Sequence, residues 1–503
     1  MSETMTTQVT TRLDLPAVEE LVAGGWSAPG GRLDLLVEDN LAGSTLGAAP
    51  ASAADAVEAA LAAAHAVHTE QSWAGIAVER RAEILDAIGA ALESEVPRLA
   101  ALEAFATGVP VAQTSIVGMI VPGAFHLAAE MLRAGTLMQV QEGPGGHAVE
   151  VHRLPLGPAV CLVPWNAPAP MAAHKVASAL AAGAPTILKP SEFAPYGTTE
   201  LGRVIDRVLT DAGAPVGTFQ LLQGGAGVGG PLVTDPRTRA VSFTGGLVAG
   251  RQIAAACADG FTALQLELGG NNPLVVLPDA DPDDAARAAT DLLTTLNGQW
   301  CRALGRLVVP ESLADAVLAG VLDRLAALRA GDPLDPQTQF GPLVHSTHRA
   351  NLEAAIEERL ASSPDAVAHT RTEVPGTGSF LAPTLLTGVP SDAALHEVFG
   401  PVATVHTYAD LDEALALANA TPFGLEGYVF GTDTDAALGF ARQVRAGEVK
   451  VNGSSIMSLH LMTPRPAWGW SGMGEEGTVE TIHTFTGARV VGIEGGFALH
   501  SSQ

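Results

Sequence analysis

Lysine is nearly missing from this chain: Lys175, Lys189 and Lys450 are the only three in 503 residues, and 27 basic residues face 54 acidic ones. The net charge of −27 repels phosphate backbones and anionic leaflets, so nucleic acid and membrane surfaces are poor partners. Cysteine is equally scarce. Cys161, Cys257 and Cys301 make neither a Cys-x-x-Cys pair nor an even set, which argues against a disulfide framework and against a metal site, and fits a reducing cytoplasm. Unbroken apolar runs are absent as well. The longest uncharged stretch, 104–125, is interrupted by Gly, Pro, Thr, Gln and Ser, which argues against a membrane span, and the first twenty residues carry acids where a signal peptide would be apolar.

What is present points to a large folded chain. Hydrophobic residues make up 47% and charged residues 16%, too apolar a balance for disorder, and the length suggests about three domains of roughly 150 residues. Residues 51–68 and 78–107 are rich in Ala and Leu at helical spacing. Short β-branched runs then recur at 159–164, 185–188, 219–222, 240–243 and 274–277, most followed by a helical stretch. That alternation predicts crossover units on a parallel sheet, an α/β fold. Two strand-like runs, 137–141 and 148–153, flank Gly143-Pro144-Gly145-Gly146 and read as an inserted hairpin, either an arm to another subunit or a surface excursion.

The chemistry is concentrated in short uncharged motifs. Cys301 ends Gly298-Gln299-Trp300-Cys301, and Glu267 opens Glu267-Leu268-Gly269-Gly270-Asn271-Asn272-Pro273. A thiol and a carboxylate are the parts needed to attack a carbonyl and then hydrolyse the acyl-enzyme. Asn166, held between prolines in Pro164-Trp165-Asn166-Ala167-Pro168, can aim its amide at a developing oxyanion; a proline-rich turn is the plainer alternative. Lys189-Pro190-Ser191-Glu192 and Phe243-Thr244-Gly245-Gly246 end strands where open α/β sheets bind nucleotides. Gly225-Ala226-Gly227-Val228-Gly229-Gly230 has the spacing of a dinucleotide fingerprint, but Pro231 follows and no acid lies about twenty residues on. It reads as a flexible loop.

The ordered set Pro-Trp-Asn-x-Pro, Lys-Pro-Ser-Glu, Phe-Thr-Gly, Glu-Leu-Gly-Gly-x-Asn-Pro, Gly-Gln-x-Cys and Glu397-Val398-Phe399-Gly400-Pro401 resembles the NAD(P)-dependent aldehyde dehydrogenase superfamily. The resemblance implies a Rossmann-like cofactor domain (1–136 and 157–267), an α/β catalytic domain (268–481) and an oligomerisation arm (137–156 and 482–503), in a homodimer or homotetramer. It implies Cys301 as nucleophile, Asn166 with the Cys301 backbone N–H as oxyanion donors, Glu267 as deacylating base and Lys175 as a supporting residue. For the cofactor it implies Pro164, Trp165, Lys189, Ser191, Glu192, Gly225, Phe243, Thr244, Gly245, Gly246, Leu268, Glu397 and Phe399. Glu192 favours NAD, because a carboxylate accepts from a ribose 2′-hydroxyl and repels the 2′-phosphate of NADP; NADP stays possible.

Departures from the family pattern bear on the aldehyde. Gly246 stands where a serine is usual. Arg465 replaces a pocket aromatic, His174 replaces another, Ala167 stands where Phe is common, and Arg302 and Trp300 flank the thiol. Two arginines converging on one pocket can grip an anionic group in bidentate fashion, so the expected substrate is a semialdehyde or phosphonoaldehyde. The opposing expectation is that both arginines pair with acids of this acidic chain, leaving neutral or aromatic aldehydes. A coenzyme A-acylating relative is disfavoured by Glu267, and a non-catalytic scaffold by the joint presence of Cys301, Asn166 and Glu267.

Overall fold

A computed structural model describes residues 13–143 and 146–494. Two open sheets dominate. In the first, the parallel strands Phe219–Leu221, Thr186–Pro190, Ala159–Val163, Ala240–Thr244 and Ala263–Glu267 lie side by side in that order. Numbered along the chain this is 3-2-1-4-5, the half-sheet order of a Rossmann fold, with its switch point between Ala159–Val163 and Ala240–Thr244. Antiparallel edges close both sides, Glu20–Val22 on one and Gly472–Met473 on the other.

The second sheet runs Val367–His369, Thr384–Thr387, Val402–Tyr408, Leu304–Pro310, Asn272–Val276, Glu426–Phe430, Glu448–Val451, parallel except at its first pair. Strands such as Asn272–Val276 and Glu426–Phe430 are buried along their whole length, as expected of a parallel sheet covered on both faces. Each sheet has its own apolar cores, Ile187, Leu222 and Val241 among the residues packed at the first and Leu274, Leu307 and Tyr428 at the second.

The predicted hairpin is present. Met138–Glu142 pairs with Ala148–Pro155, which pairs in turn with Thr486–Gly492, a three-stranded antiparallel sheet whose Val140, Val490 and Val491 are exposed. The hairpin tip at 144–145 and the arm's end at 495–503 lie outside the described residues, as do residues 1–12 of the N-terminal reading.

One local expectation, the loop at 225–230, is corrected, and two others gain detail. The stretch 78–107 is two helices, Val78–Glu93 and Val96–Thr107, because Pro97 has no N–H for a continuing ladder and opens a new first turn instead. The expected loop at 225–230 starts a helix, Ala226–Thr234, in which burial of Val228, Leu232 and Val233 outweighs glycine's poor propensity and the Pro231 defect. Within 104–125, Val111–Gly118 and Ile120–Arg133 are helices; the span Val111–Arg133 is long and apolar enough to cross a membrane, but its Val121, Phe125, Ala129 and Leu132 face a core.

Candidate active site

Glu267 is the last residue of its strand in the first sheet, and the chain then turns through Gly269 and Gly270 into the second. A Cβ at Gly270 would lie 2.5 Å from the Cys301 carbonyl, and one at Gly269 would lie 1.9 Å from Glu397, so only glycines let these three segments converge. Asn272 donates to the carbonyls of Cys301 at 2.9 Å and Ala303 at 2.8 Å. The thiol's turn is tight: Leu296 and Asn297 have φ of 49° and 57°, Gly298 has φ of 70°, and Gln299 is wholly buried. Asn166 donates to the Gln299 carbonyl at 2.9 Å, which brings the strand-end motif of the first sheet to the thiol's turn in the second.

The electrostatics are unusual for groups working near neutrality. Burial pushes the Cys301 thiol up to about 12, with the Arg302 charge pulling the other way. Glu267 is 7% exposed, its Oε1 has no hydrogen-bond partner, and burial followed by the neighbouring Glu476 charge holds its pKa well above 4.5. Lys175 is fully buried, donates to Ser242 Oγ at 2.7 Å, and is lowered by burial. Ser242 passes the chain to Gln265, whose amide reaches Thr481. Glu476 is also buried; desolvation raises it, but Arg465, His174 and Lys175 together bring it down to about 2.

At the proposed cofactor end, Glu192 approaches the Gly225 position, where a Cβ would lie 3.0 Å from its Oε1, and Ser191 donates to Glu192 at 3.4 Å. Lys189 donates to the carbonyls of Pro190 and Gly224, which directs its ammonium to the backbone. Thr244 Oγ1 is buried with no partner at the mouth of helix Leu247–Ala258, beside exposed Gly246, and Phe243 fills the space a Cβ at Gly245 would take. Leu268 packs on Gly250 of the same helix. Glu397 accepts from the Gly270 N–H at 2.8 Å, and burial lifts it to about 7. Trp165, following Pro164, meets Phe399 edge-on at 5.5 Å.

On the substrate side the arginines follow the alternative expectation, pairing with acids of the chain, and Trp300 departs from its expected place. The arginines do not present two unpaired guanidiniums: Arg302 lies 2.9 Å from Glu426 and 3.7 Å from Glu448, and Arg465 lies 3.2 Å from Glu476, its partner across a two-stranded ladder. Trp300 is 5% exposed and packs in the second core, leaving little of it to meet a substrate. His174 contacts Thr481 at 3.2 Å and stands 3.8 Å from Glu476. Ala167 and Asn166 line a small cavity, with room for about one water, walled also by Val117, Val121 and Leu296. Sequence reasoning missed Glu476, Glu426 and His348; His348 Nε2 donates to the Phe399 carbonyl at 2.8 Å, and the ring faces Trp165 edge-on.

A Rossmann-ordered sheet and a second parallel sheet thus meet where Cys301 and the buried Glu267 come close enough for their charges to interact. The aldehyde dehydrogenase family model matches residues 27–491, and the chain belongs to that family of NAD(P)-dependent oxidoreductases acting on aldehydes. A succinate-semialdehyde dehydrogenase of Paenarthrobacter nicotinovorans is 34% identical over 88% of this chain and 98% of its own length. A betaine aldehyde dehydrogenase of Cereibacter sphaeroides is 35% identical over 86% of this chain and 88% of its own. Among solved structures, a point mutant of the Staphylococcus aureus betaine aldehyde dehydrogenase, in complex with NAD+, superimposes with a TM-score of 0.89 at 26% identity, covering 97% of this chain and 99% of that one.

Proposed function

We propose that this chain oxidises an aldehyde to a carboxylate with NAD, using Cys301 as nucleophile. The observation that carries the reading is the Glu267–Asn272 loop, which delivers an unpartnered carboxyl and, five residues on, the amide that fixes the Cys301 peptide. Sulfur attack on the aldehyde carbon forms a thiohemiacetal, its oxygen met by the Asn166 amide and the Cys301 N–H. NAD, when bound, supplies the acceptor for the hydride leaving that carbon. Glu267 then takes a proton from the water that hydrolyses the resulting thioester. The carboxyl has no hydrogen bond to break first.

The orphaned Thr244 hydroxyl at a helix N-terminus beside the switch point suits a pyrophosphate, and Glu192 suits a ribose diol; the NAD-bound relative supports the same choice. We divide the subunit into cofactor segments 1–136 and 157–267, a catalytic segment 268–481, and an arm. The exposed valines on the arm's strands suit pairing with a second copy in a homodimer or homotetramer, and the unpaired cysteines suit a cytoplasmic setting.

For the aldehyde, Arg465 supports an anionic tail: its side chain is 26% exposed and reaches Glu476 through one nitrogen. A neutral aldehyde is the second reading, favoured by the carboxylate partners of both arginines. The named relatives act on aldehydes of unlike charge and do not choose between them. NADH formation without coenzyme A, measured over neutral, aromatic, carboxylate-bearing and phosphonate-bearing aldehydes, tests the activity and the class together. If Arg465→Leu leaves kcat/KM unchanged for every anionic aldehyde, the anionic reading falls.

A further inference from the structure

Lys450, one of the three lysines, has a side chain only 4% exposed. Its Nζ lies 2.9 Å from Glu426 and 3.6 Å from Glu448, the same two carboxylates that Arg302 meets at 2.9 Å and 3.7 Å. Glu426 and Glu448 are register partners on adjacent parallel strands, as are Tyr428 and Lys450. Two anions and two cations thus share one interior site directly behind the nucleophile. Four buried charges are a poor way to gain stability, since apolar side chains of similar volume do as well or better. Such a cluster is better explained by what it holds in place.

It holds two things. On one side, Arg302 is the peptide neighbour of Cys301, and its carbonyl accepts from Tyr428 Oη at 2.9 Å. On the other, Lys450 donates to the Ser455 carbonyl at 2.9 Å, and Glu448 accepts from the Leu459 N–H at 3.0 Å. Both contacts fall in the loop 453–463. That loop's Ser458 hydroxyl meets Arg465 at 3.3 Å, so the segment runs from the thiol's flank to the residue facing Glu476.

We propose that Arg302, Glu426, Glu448 and Lys450 form an ionic tether fixing the loop 453–463 against the Cys301 turn. Glu448 and Lys450 are then positioning residues that set selectivity among aldehydes by size. The proposal rests on the reading of Cys301 as the nucleophile.

The double variant E448Q/K450Q removes one anion and one cation, so the remaining Arg302–Glu426 pair stays neutral. Leu459→Pro deletes the N–H that Glu448 accepts and keeps all four charges, while also fixing φ at 459 and restricting Ser458. Two readouts are taken on folded protein: the kcat/KM ratio of a short linear to a bulky branched aldehyde, and the rate at which iodoacetamide alkylates Cys301, located by mass spectrometry without cofactor or substrate. Displacements near 1 Å change rates by large factors, so the ratio is expected to drop roughly tenfold and alkylation to speed up several-fold in both variants. Should E448Q/K450Q not fold, Leu459→Pro decides. An unchanged ratio together with an unchanged alkylation rate overturns the tether. Cys301→Ala, assayed in parallel, separates the two ideas: NADH formation surviving in it removes the nucleophile reading whatever the loop variants show.

Discussion

The Asn272 side-chain amide holds the Cys301 carbonyl at 2.9 Å, so a residue from the loop that follows Glu267 sets the peptide plane at Cys301. The same side chain accepts from the Glu426 N–H at 3.1 Å and donates to Ala303, and it is 1% exposed. Asn272→Ala strands three buried backbone groups, each costing about 1–3 kcal/mol when unpaired. Thermal unfolding should shift down by several degrees, and kcat should fall more than NAD affinity.

Cys301→Ala should abolish NADH production and leave NAD binding intact, read by absorbance and by calorimetric titration. Turnover in this variant would rule out the thiol as nucleophile.

Glu267→Gln keeps the shape of the side chain and loses its proton-accepting power. A burst of NADH equal to the enzyme concentration, followed by a stalled acyl-enzyme visible by intact mass, is the expected result. Full steady-state turnover would remove Glu267 from deacylation.

Gly298 has φ of 70°, and a Cβ there would lie 2.4 Å from the nitrogen of Pro401. Left-handed backbone alone costs an alanine roughly 1–2 kcal/mol, and the contact with the 397–401 segment adds to it. Gly298→Ala should therefore lower both stability and kcat, whereas Gly439→Ala, with open space at its Cβ, should do neither.

Glu103, buried against helix Pro168–Ala182 and accepting from the Ala169 N–H at 3.2 Å, is raised by burial to about 8. A carboxyl raised on folding is protonated in the native state while the unfolded chain ionises. Its contribution is intact below about 4.5 and declines as pH rises toward 8, by about 1.4 kcal/mol per unit at most. Glu103→Gln retains the acceptor oxygen and should flatten this slope. The melting-temperature difference between variant and parent should grow in the variant's favour between pH 5 and pH 8 by the same linkage; a constant difference would contradict it.

Much of the site was legible because its parts are local. Cys301, Glu267 and Asn166 each stand in a short motif whose glycines or prolines are required by close approach, and Gly270 against the Cys301 carbonyl shows why. Crossover units on a parallel sheet could be anticipated from strand spacing; the order of the strands in the sheet could not. Glu426, Glu448 and Glu476 were not legible, because each reaches the site only through strand pairing with distant sequence, and an isolated acid in an apolar run carries no sign of its partner. The helix at Ala226–Thr234 was hidden for another reason: its stability comes from tertiary burial, against local propensity.

Glu267 closes the last parallel strand of one sheet, and Cys301 precedes Leu304–Pro310 of the other. Neither sheet owns the reaction. The first sheet draws its edge strand Gly472–Met473, whose Gly472 is the register partner of Glu267, from beyond every strand of the second, so the two sheets are interleaved along the chain and neither can be completed as a separate N-terminal unit.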